Sequence, residues 1–185
     1  RDTADTRVHF TPAKLISNAH RATETRTTAG ILKTSFADER HFIHHDPLPA
    51  NPLAGDEGAA NHTRLCGTTL GASVELFTYG AGRPGEAIAP ARFPARQNFR
   101  ASEAIARFHY LKHACFVAQN PQAIDAGAFH NDVVAVGHRN VLLYHERAWV
   151  DAEACLAALR AHVGDLCAIA VAANDVPMEL AIKTY

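Results

Sequence analysis

The sequence lacks the features that would direct the protein to a membrane, a nucleic acid or an oxidising compartment. It has no apolar run long enough to span a bilayer, and its 18 Lys and Arg residues face 19 Asp and Glu residues without forming a basic run. Its four cysteines are widely spaced and form no CxxC pair, which is typical of a reducing compartment rather than a disulfide framework. We therefore expect a cytoplasmic protein with no membrane or nucleic-acid partner.

The composition is that of an ordinary globular domain. The 185 residues are 48% hydrophobic and 20% charged, which is enough to bury one substantial core. The twelve histidines are the only unusual feature of the composition. Because the first residue is Arg1 rather than Met, we expect the chain to be a piece of a longer protein.

The first half of the sequence predicts a helix, two strands, a second helix and a third strand. Thr11-Pro12 is a typical helix start, with a capping Thr followed by Pro at the first helical position. The other predicted elements are a strand in 41–45, an alternating strand in 74–80, a helix from Asn98 and a buried strand in 115–119.

The second half predicts the same order of elements. It contains a strand in 132–137, a turn at 138–140, a returning strand in 141–145, a helix capped by Asp151 and ended by Gly164, and a continuous apolar strand in 166–172. Strand, strand, helix and strand thus occur twice in succession, although the residues of the two halves do not align. This repeat predicts a pseudo-symmetric α/β ring of which the chain holds about two units.

Ionisable residues stand in three places where secondary structure does not require them. The segment GDEGAANHTRLCG (55–67) carries Asp56 and Glu57 between two glycines, and its other polar residues fit no helix or strand period. FHND places His130 and Asp132 at the start of the predicted strand 132–137, where residues two apart point to the same side. The third place is a set of basic residues before predicted helices, namely His20-Arg21 and Arg96.

Each of these residues also has a purely structural interpretation. An acid pair in a Gly-rich loop is commonly a solvated turn or a cap, His130 could be a structural histidine, and Arg96 could be a surface charge. His62 and Cys66, four apart, would suit a metal if the segment were helical, but two ligands without a third and fourth give weak support.

Three stretches carry a specific resemblance. HFIHHDPLPANPLAGDEGAANHTRLCG, FPARQ with the following ASEAIAR, and QNPQAIDAGAFHNDVVAV resemble the N-succinylarginine dihydrolases of the bacterial arginine succinyltransferase route. The resemblance implies a pentein, the five-unit α/β propeller of guanidino-group-modifying enzymes. Residues 1–185 would then be the central fragment of a single pentein catalytic domain, with both flanks missing.

The resemblance also implies roles for particular residues. The family uses a Cys nucleophile, a His and a Glu, and the last two match His130 and Glu57. Its substrate-binding positions match four residues, His20, Arg21, Arg96 and Asp132. The nucleophile motif lies beyond this chain, and none of Cys66, Cys115, Cys155 and Cys167 lies in a matching motif, so we expect the chain alone to be inactive. Cys115, Cys155 and Cys167 fall on apolar faces and are expected in the core.

The expected substrate is a guanidinium cation at one end and a pair of carboxylates at the other. Glu57 and Asp132 suit the cation, and His20, Arg21 and Arg96 suit the carboxylates. The expected reaction converts N2-succinylarginine and water to N2-succinylornithine, ammonia and carbon dioxide through a covalent Cys thiouronium, with His130 as general acid and base and without a metal or organic cofactor.

Several alternatives remain open at this point. Another pentein activity, such as arginine deimination, is the second enzymatic hypothesis. A non-catalytic fragment or a ligand-binding remnant is a hypothesis of another class, and a metal-binding module built on the histidines is the weakest. A homodimer is kept as an expectation that no motif supports.

Overall fold

Two three-stranded sheets of identical topology organise the chain in the computed structural model, which describes residues 2–16, 19–68, 73–83, 85 and 89–184 and leaves the side chain of His20 undescribed. In the first sheet, β3 pairs antiparallel with β4, which pairs parallel with β5. In the second, β6, β7 and β8 pair in the same way. The strands of the described segments are β1 (Val8–Phe10), β2 (Phe42–His44), β3 (His62–Cys66), β4 (Ser73–Tyr79), β5 (Ala114–Ala118), β6 (Ala135–His138), β7 (Val141–His145) and β8 (Cys167–Val171). The α-helices there are α1 (Ala19–Ala22), α2 (Glu24–Ser35), α3 (Phe99–Phe108), α4 (Pro121–Ala126), α5 (Ala152–His162) and α6 (Met178–Thr184).

The predicted repeat of strand, strand, helix and strand is confirmed, but its first member was assigned wrongly. The first unit begins with β3, inside the segment predicted to be a loop, and not with the strand near residues 41–45. That strand, β2, pairs parallel with β1 in a separate two-stranded sheet. The residues of β3 do not alternate regularly between apolar and polar. Its polar residues are tolerated because they are paired, His62 with Glu75 and Arg64 with Asp2. The two sheets meet along β3 and β6, where the Cys66 N–H donates to the Arg139 carbonyl over 2.9 Å.

The two main helices begin where the sequence predicted. Asn98 Oδ1 accepts the Arg100 N–H at 2.9 Å, and Asp151 Oδ1 accepts the Ala154 N–H at 2.8 Å. Each bond satisfies one of the N–H groups that the first turn of a helix leaves unpaired. Capping is a local interaction, which is why Asp151 marked the start of α5 in the sequence, whereas α3 was predicted from the spacing of its apolar residues.

Burial of the strands differs from the prediction in the first sheet. β4 is buried at every position, so the alternation of its residues does not reflect one solvated face. Phe77 packs in a small core with Ala101 and Ile105 of α3, whereas Leu76 belongs to the main core together with Leu156 of α5. The first sheet therefore has a helix on each face, and this is the reason that β4 is buried throughout.

The second sheet is covered on one face only. Leu142 belongs to the main core, but the row Val136, Leu143 and Ile169, which are direct cross-strand neighbours, is 57, 40 and 47% exposed. The continuous apolar strand predicted for 166–172 is present as β8. It lies at the end of the sheet order, and its residues are exposed or half-buried.

The chain before β2 was predicted poorly. Residues 11–16 are not helical, although Thr11-Pro12 resembles a helix start. The helices lie later, in α1 and α2, and α2 was missed because it is polar on almost every side, with only Thr25 buried. α6 was also missed, and residues 132–134 are not a strand, since Asn131–Val133 forms a 3-10 turn before β6.

No helix within the described segments is long and apolar enough to cross a membrane.

Candidate active site

Glu57 and His130 meet at the junction of the two sheets. His130 Nε2 lies 2.8 Å from Glu57 Oε2, and the Glu57 side chain is 1% exposed while that of His130 is 21% exposed. Each residue precedes a 3-10 turn, Gly58–Asn61 and Asn131–Val133, and these two turns contact each other. A buried carboxylate beside a partly accessible imidazole can orient the ring, which suits general acid–base chemistry.

The backbone around Glu57 requires its flanking glycines for different reasons. Gly58 has a φ of +75°, and a Cβ there would lie 2.8 Å from the Ala13 Cβ, so both conformation and space favour glycine. Gly55 has an ordinary φ of −57°, but a Cβ there would lie 3.0 Å from the Arg96 carbonyl oxygen. Of the two glycines, only Gly58 has the left-handed conformation. Gly55 leaves room for the Arg96 carbonyl, in the segment before α3, to pack against the loop.

The two adjacent acids point in different directions. Glu57 reaches His130, whereas Asp56 lines a separate cavity of about 720 Å³ that neither Glu57 nor His130 lines. Asp56 Oδ1 accepts the Gly58 N–H at 3.1 Å and the Gln97 amide at 3.3 Å. Burial raises the pKa of Asp56 above its ordinary value, in spite of these hydrogen bonds. Asp56 is therefore a structural acid of the loop rather than a second carboxylate beside His130.

Arg96 lies next to the pair. Its guanidinium carbon is 4.3 Å from the centre of the Phe129 ring, and Nη1 is 4.0 Å from Glu57 Oε2. The side chain is 24% exposed, so one face of the planar cation rests on an aromatic ring while the group stays accessible. The sequence assigned Arg96 to the carboxylate-binding end of the site, and the structure places it within reach of the acid as well.

Asp132 is close to His130 in sequence, but the reason given for their association was wrong. The prediction assumed a strand, in which residues two apart share a side, whereas Asp132 lies in a 3-10 turn and His130 precedes that turn in extended conformation. Asp132 lines a smaller cavity of about 310 Å³ together with β6, β7 and residues of α6, and His130 does not line it. A spacing of two residues therefore does not bring both side chains to this cavity.

The remaining predicted binding residues lie on α1. Arg21 is 43% exposed, and its described ion pair is with Glu24, at 4.0 Å. The side chain of His20 lies outside the described atoms. The chain leading to α1 packs on the candidate loop, since Ala13 faces Gly58 and Ile16 faces Gly55. Arg21 is thus near the loop in sequence but makes no described contact with Glu57 or His130.

The histidines form a network away from the Glu57–His130 pair. His9 Nδ1 is 2.8 Å from His45 Nε2, and His109 stacks near both rings with its Nε2 2.8 Å from the Thr11 hydroxyl. Burial, with His45 and His9 as neighbours, lowers the pKa of His109 to about 3. His62 and Cys66 lie on a strand, where four residues span roughly 13 Å, so the helical arrangement assumed for a metal is wrong. Within the described residues, no group of three or more His, Cys, Asp or Glu side chains is arranged to hold a metal ion.

The cysteines differ in burial. Burial raises the pKa of Cys155 to about 12 and raises that of Cys115 above its ordinary value, so both thiols are protonated near neutral pH. Cys66 is half-buried in β3 and Cys167 is exposed on β8. The expectation of a core position is confirmed for Cys155, whereas Cys115 is half-buried and Cys167 is exposed.

Three buried amides support the pair and were not singled out from the sequence. Gln97 accepts the Glu57 N–H at 2.8 Å, Asn61 accepts the Asn131 N–H at 2.9 Å, and Asn131 accepts the Trp149 indole N–H at 2.9 Å. All three lie inside the quoted motifs, PARQ, GDEGAANH and FHND. These amides were overlooked because the identity of a polar residue in a motif does not show whether its side chain is buried.

Comparison with known proteins relates the whole chain to one family. The family model described as succinylarginine dihydrolase matches residues 1–185. Proteins named N-succinylarginine dihydrolase from Marinobacter nauticus and Pseudoalteromonas atlantica are 51% and 48% identical to the chain over its full length. The chain spans 42% of the length of each of these relatives.

Solved structures add a comparison of the fold. The product-bound N-terminal domain of ArgZ, described as an arginine dihydrolase from the ornithine–ammonia cycle in cyanobacteria, matches with a TM-score of 0.55 and 15% identity. The match covers 91% of this chain and 51% of the ArgZ chain. A variant of that domain, covalently bound to a reaction intermediate, matches equally well. At this identity the likeness concerns the fold alone.

Proposed function

The chain belongs to the succinylarginine dihydrolase family, whose model matches it from residue 1 to residue 185, and from this we propose that it is part of an enzyme that hydrolyses N2-succinylarginine. The products are N2-succinylornithine, ammonia and carbon dioxide. The observation that carries the proposal, besides the family match, is the 2.8 Å contact between Glu57 and His130. The two residues are a buried acid and a partly accessible imidazole, and they come from the GDEGAANH and FHND motifs on which the resemblance rests.

The chemistry proceeds through a covalent adduct with a cysteine thiolate from another part of the protein. A resonance-stabilised guanidinium resists direct attack by water, so the thiolate first forms a bond to the central guanidinium carbon. His130 donates a proton to the departing nitrogen, and ammonia leaves as the carbon–nitrogen bond breaks. His130 then takes a proton from water, which attacks the same carbon and displaces the thiolate. A second cycle releases the second ammonia and carbon dioxide.

Glu57 has two tasks in this scheme. Its Oε2 holds the His130 ring, and its negative charge, buried from water, attracts the planar cation of the substrate. Both tasks need the ionised form, so an amide in its place would retain the shape and lose the function. Asp132 is the second acid of the proposal, because it matches a substrate-binding position of the family that the FHND motif resembles.

His20, Arg21 and Arg96 bind the carboxylates of the substrate in this proposal. Arg96 is supported by its accessible guanidinium, which Phe129 holds from one face. A planar guanidinium can form paired bonds with a carboxylate, which Lys cannot imitate. Its 4.0 Å approach to Glu57 means that it also borders the place where the substrate cation would lie, so it stands between the two ends of the substrate.

For the fold, we propose one continuous pentein domain of five units, of which the chain holds the central fragment with two. The first sheet has α3 on one face and α5 of the following unit on the other. In the second sheet, the row Val136, Leu143 and Ile169 is exposed, and it is the face that a helix of the next unit would cover. The longer relatives have the length for further units. A cytoplasmic location and a homodimer belong to the same proposal.

The test is product analysis with the full-length protein. Incubation with N-succinylarginine should yield N-succinylornithine and two ammonia molecules for each substrate consumed. Free arginine, offered at the same concentration, is the control for a related activity on the unmodified amino acid. Formation of citrulline from arginine without turnover of N-succinylarginine would favour arginine deimination and contradict the proposal.

A further inference from the structure

Two buried amide side chains hold the two ends of the 3-10 turn that follows Glu57. At its start, Gln97 Oε1 accepts the Glu57 backbone N–H at 2.8 Å. At its end, Asn61 Oδ1 accepts the backbone N–H of Asn131, the residue after His130, at 2.9 Å. Gln97 and Asn61 are both buried. The backbone next to each member of the Glu57–His130 pair is therefore fixed by one amide oxygen.

The Gln97 amide anchors the start of the turn to α3. Its Nε2 donates to the Ser102 hydroxyl at 3.0 Å and to Asp56 Oδ1 at 3.3 Å, and Ser102 is fully buried in α3. The backbone carbonyl of Gln97 also accepts the Gly80 N–H at 3.0 Å, at the end of β4. Glu57 is thus connected through one residue, Gln97, to α3 by its side chain and to the end of β4 by its backbone carbonyl.

The Asn61 side chain connects the end of the turn to the second unit. Asn131, whose N–H it accepts, is held in turn by Trp149, which donates its indole N–H to Asn131 Oδ1 at 2.9 Å. Trp149 is buried and stacks on Tyr144 with ring centres 5.3 Å apart. Asn131, the residue after His130, is thus bonded to the main core through Trp149 and to the Gly58–Asn61 turn through Asn61.

The free-energy cost of burying the Asn61 amide indicates that its acceptor oxygen has a structural role. Its Nδ2 is buried without a hydrogen-bond partner among the described residues, and burying an unpaired amide N–H is unfavourable. An apolar residue of similar size would avoid this cost and fill the same space. What it would lose is the bond to the Asn131 N–H, which is the described hydrogen bond between the Gly58–Asn61 turn and the Asn131–Val133 turn.

We propose that Gln97 and Asn61 are positioning residues, which set the distance and orientation of Glu57 relative to His130 without touching the substrate. The proposal rests on the proposed function of the Glu57–His130 pair. A carboxylate and an imidazole in contact at 2.8 Å must be held closely, because displacement of a catalytic group by about 1 Å can reduce the rate about 100-fold. Two separate units contribute the pair, so their relative placement depends on bonds such as these.

The test uses the full-length protein with Gln97→Met and Asn61→Leu, which keep the approximate volume and remove the acceptor oxygen. Each variant should lower kcat about 10- to 100-fold with little change in KM, because the substrate-binding groups remain. Asn61→Asp retains an oxygen at the acceptor position and should recover most of the loss. Trp149→Phe keeps the ring and removes the indole N–H, and it should lower kcat to a smaller extent.

Cys155→Ala is the matched control, because Cys155 is buried in the main core on α5, outside both turns. It should lower Tm as the other variants do and leave kcat unchanged. Wild-type kcat in both Gln97→Met and Asn61→Leu would overturn the proposal. So would an equal loss of kcat in Cys155→Ala, since the effect would then be general destabilisation.

Crystal structures of the same variants separate this inference from the proposed function. The 2.8 Å contact between Glu57 and His130 should lengthen beyond hydrogen-bonding distance in Gln97→Met and Asn61→Leu and persist in Cys155→Ala. An unchanged contact in both would overturn the positioning role, whatever the substrate is. Failure of the wild-type protein to act on N-succinylarginine would instead overturn the proposed function. If Asn61→Leu does not fold, Gln97→Met and Trp149→Phe provide the comparison with Cys155→Ala, and Asn61→Asp remains the variant that should keep the contact.

Discussion

Glu57 and His130 are 73 residues apart in the sequence and 2.8 Å apart between Oε2 and Nε2 in the structure. Each stands immediately before a 3-10 turn at the start of its own unit. The pair thus lies at the joint between two sheets that share one topology. Such a joint brings together an acid and a base that lie far apart in the sequence.

The first prediction concerns this pair. In the full-length protein, His130→Gln should lower kcat for N-succinylarginine about 10²- to 10⁴-fold, which is the usual contribution of a positioned general acid–base group. Glu57→Gln should lower kcat/KM for N-succinylarginine and for any other guanidinium substrate, because it removes the buried charge. Steady-state ammonia release by each purified variant is the measurement. Activity close to wild type in His130→Gln would exclude His130 as the acid–base group.

The second prediction concerns Arg96. Arg96→Ala should lower kcat/KM for N-succinylarginine about 10- to 100-fold, the cost of about 1.5–3 kcal/mol for a lost charge-assisted hydrogen bond. Arg96→Lys, which keeps the charge but loses the planar group stacked on Phe129, should recover only part of the loss. The comparison substrate is free arginine. An equal loss for both substrates would show that Arg96 acts through Glu57, 4.0 Å away, and does not bind the succinyl group.

The third prediction is that the 185-residue chain releases no ammonia from N-succinylarginine. Two of its four cysteines have raised thiol pKa values because they are buried, and none lies in the motif that carries the nucleophile in the resemblance. In the full-length protein, Cys66→Ser and Cys167→Ser should leave kcat unchanged. Catalytic ammonia release by the chain alone, abolished by Cys66→Ser, would assign the nucleophile to Cys66 and overturn this prediction.

The fourth prediction concerns acid stability. The pKa of His109 is lowered from 6.5 to about 3, so between these values the unfolded chain binds a proton that the folded chain does not. Stability should therefore fall as the pH decreases from 6.5 towards 3, by up to about 1.4 kcal/mol per pH unit for this one proton, and should not depend on His109 above that range. His109→Gln should reduce the pH dependence of Tm. Identical slopes for the variant and the wild type would contradict the prediction.

The fifth prediction compares two glycines. Gly58→Ala places a side chain in the left-handed region and against Ala13, and it should destabilise the protein by more than about 1 kcal/mol. Gly30→Ala is the matched control, because Gly30 lies exposed inside α2 with nothing within 4 Å of a new Cβ. It should stabilise the protein by about 0.5–1 kcal/mol. Chemical denaturation of both variants gives the comparison, and a neutral Gly58→Ala would show that the loop can adapt.

Local sequence patterns predicted some helices and strands correctly and others wrongly. The helical spacing of the apolar residues that follow Asn98 located α3. The cap Asp151 located α5, because a cap bonds to residues two or three positions away. The same kind of signal was wrong at Thr11-Pro12, where residues 11–16 are not helical and Ala13 packs against Gly58. β3 was missed because its polar residues find partners on β4 and near the amino terminus, and such partners have no local signature.

The sequence by itself determined the repeated order of strand, strand, helix and strand, the starts of the two main helices, and the motifs that relate the chain to its family. These depend on capping, hydrophobic period and residue identity, all of which act over a few residues. Only the tertiary structure decided which strand opens the first unit, why β4 is buried on both faces, and that Glu57 rather than Asp56 meets His130. Those outcomes depend on contacts between residues far apart in the chain, and neither the depth nor the direction of a side chain is encoded in its neighbours.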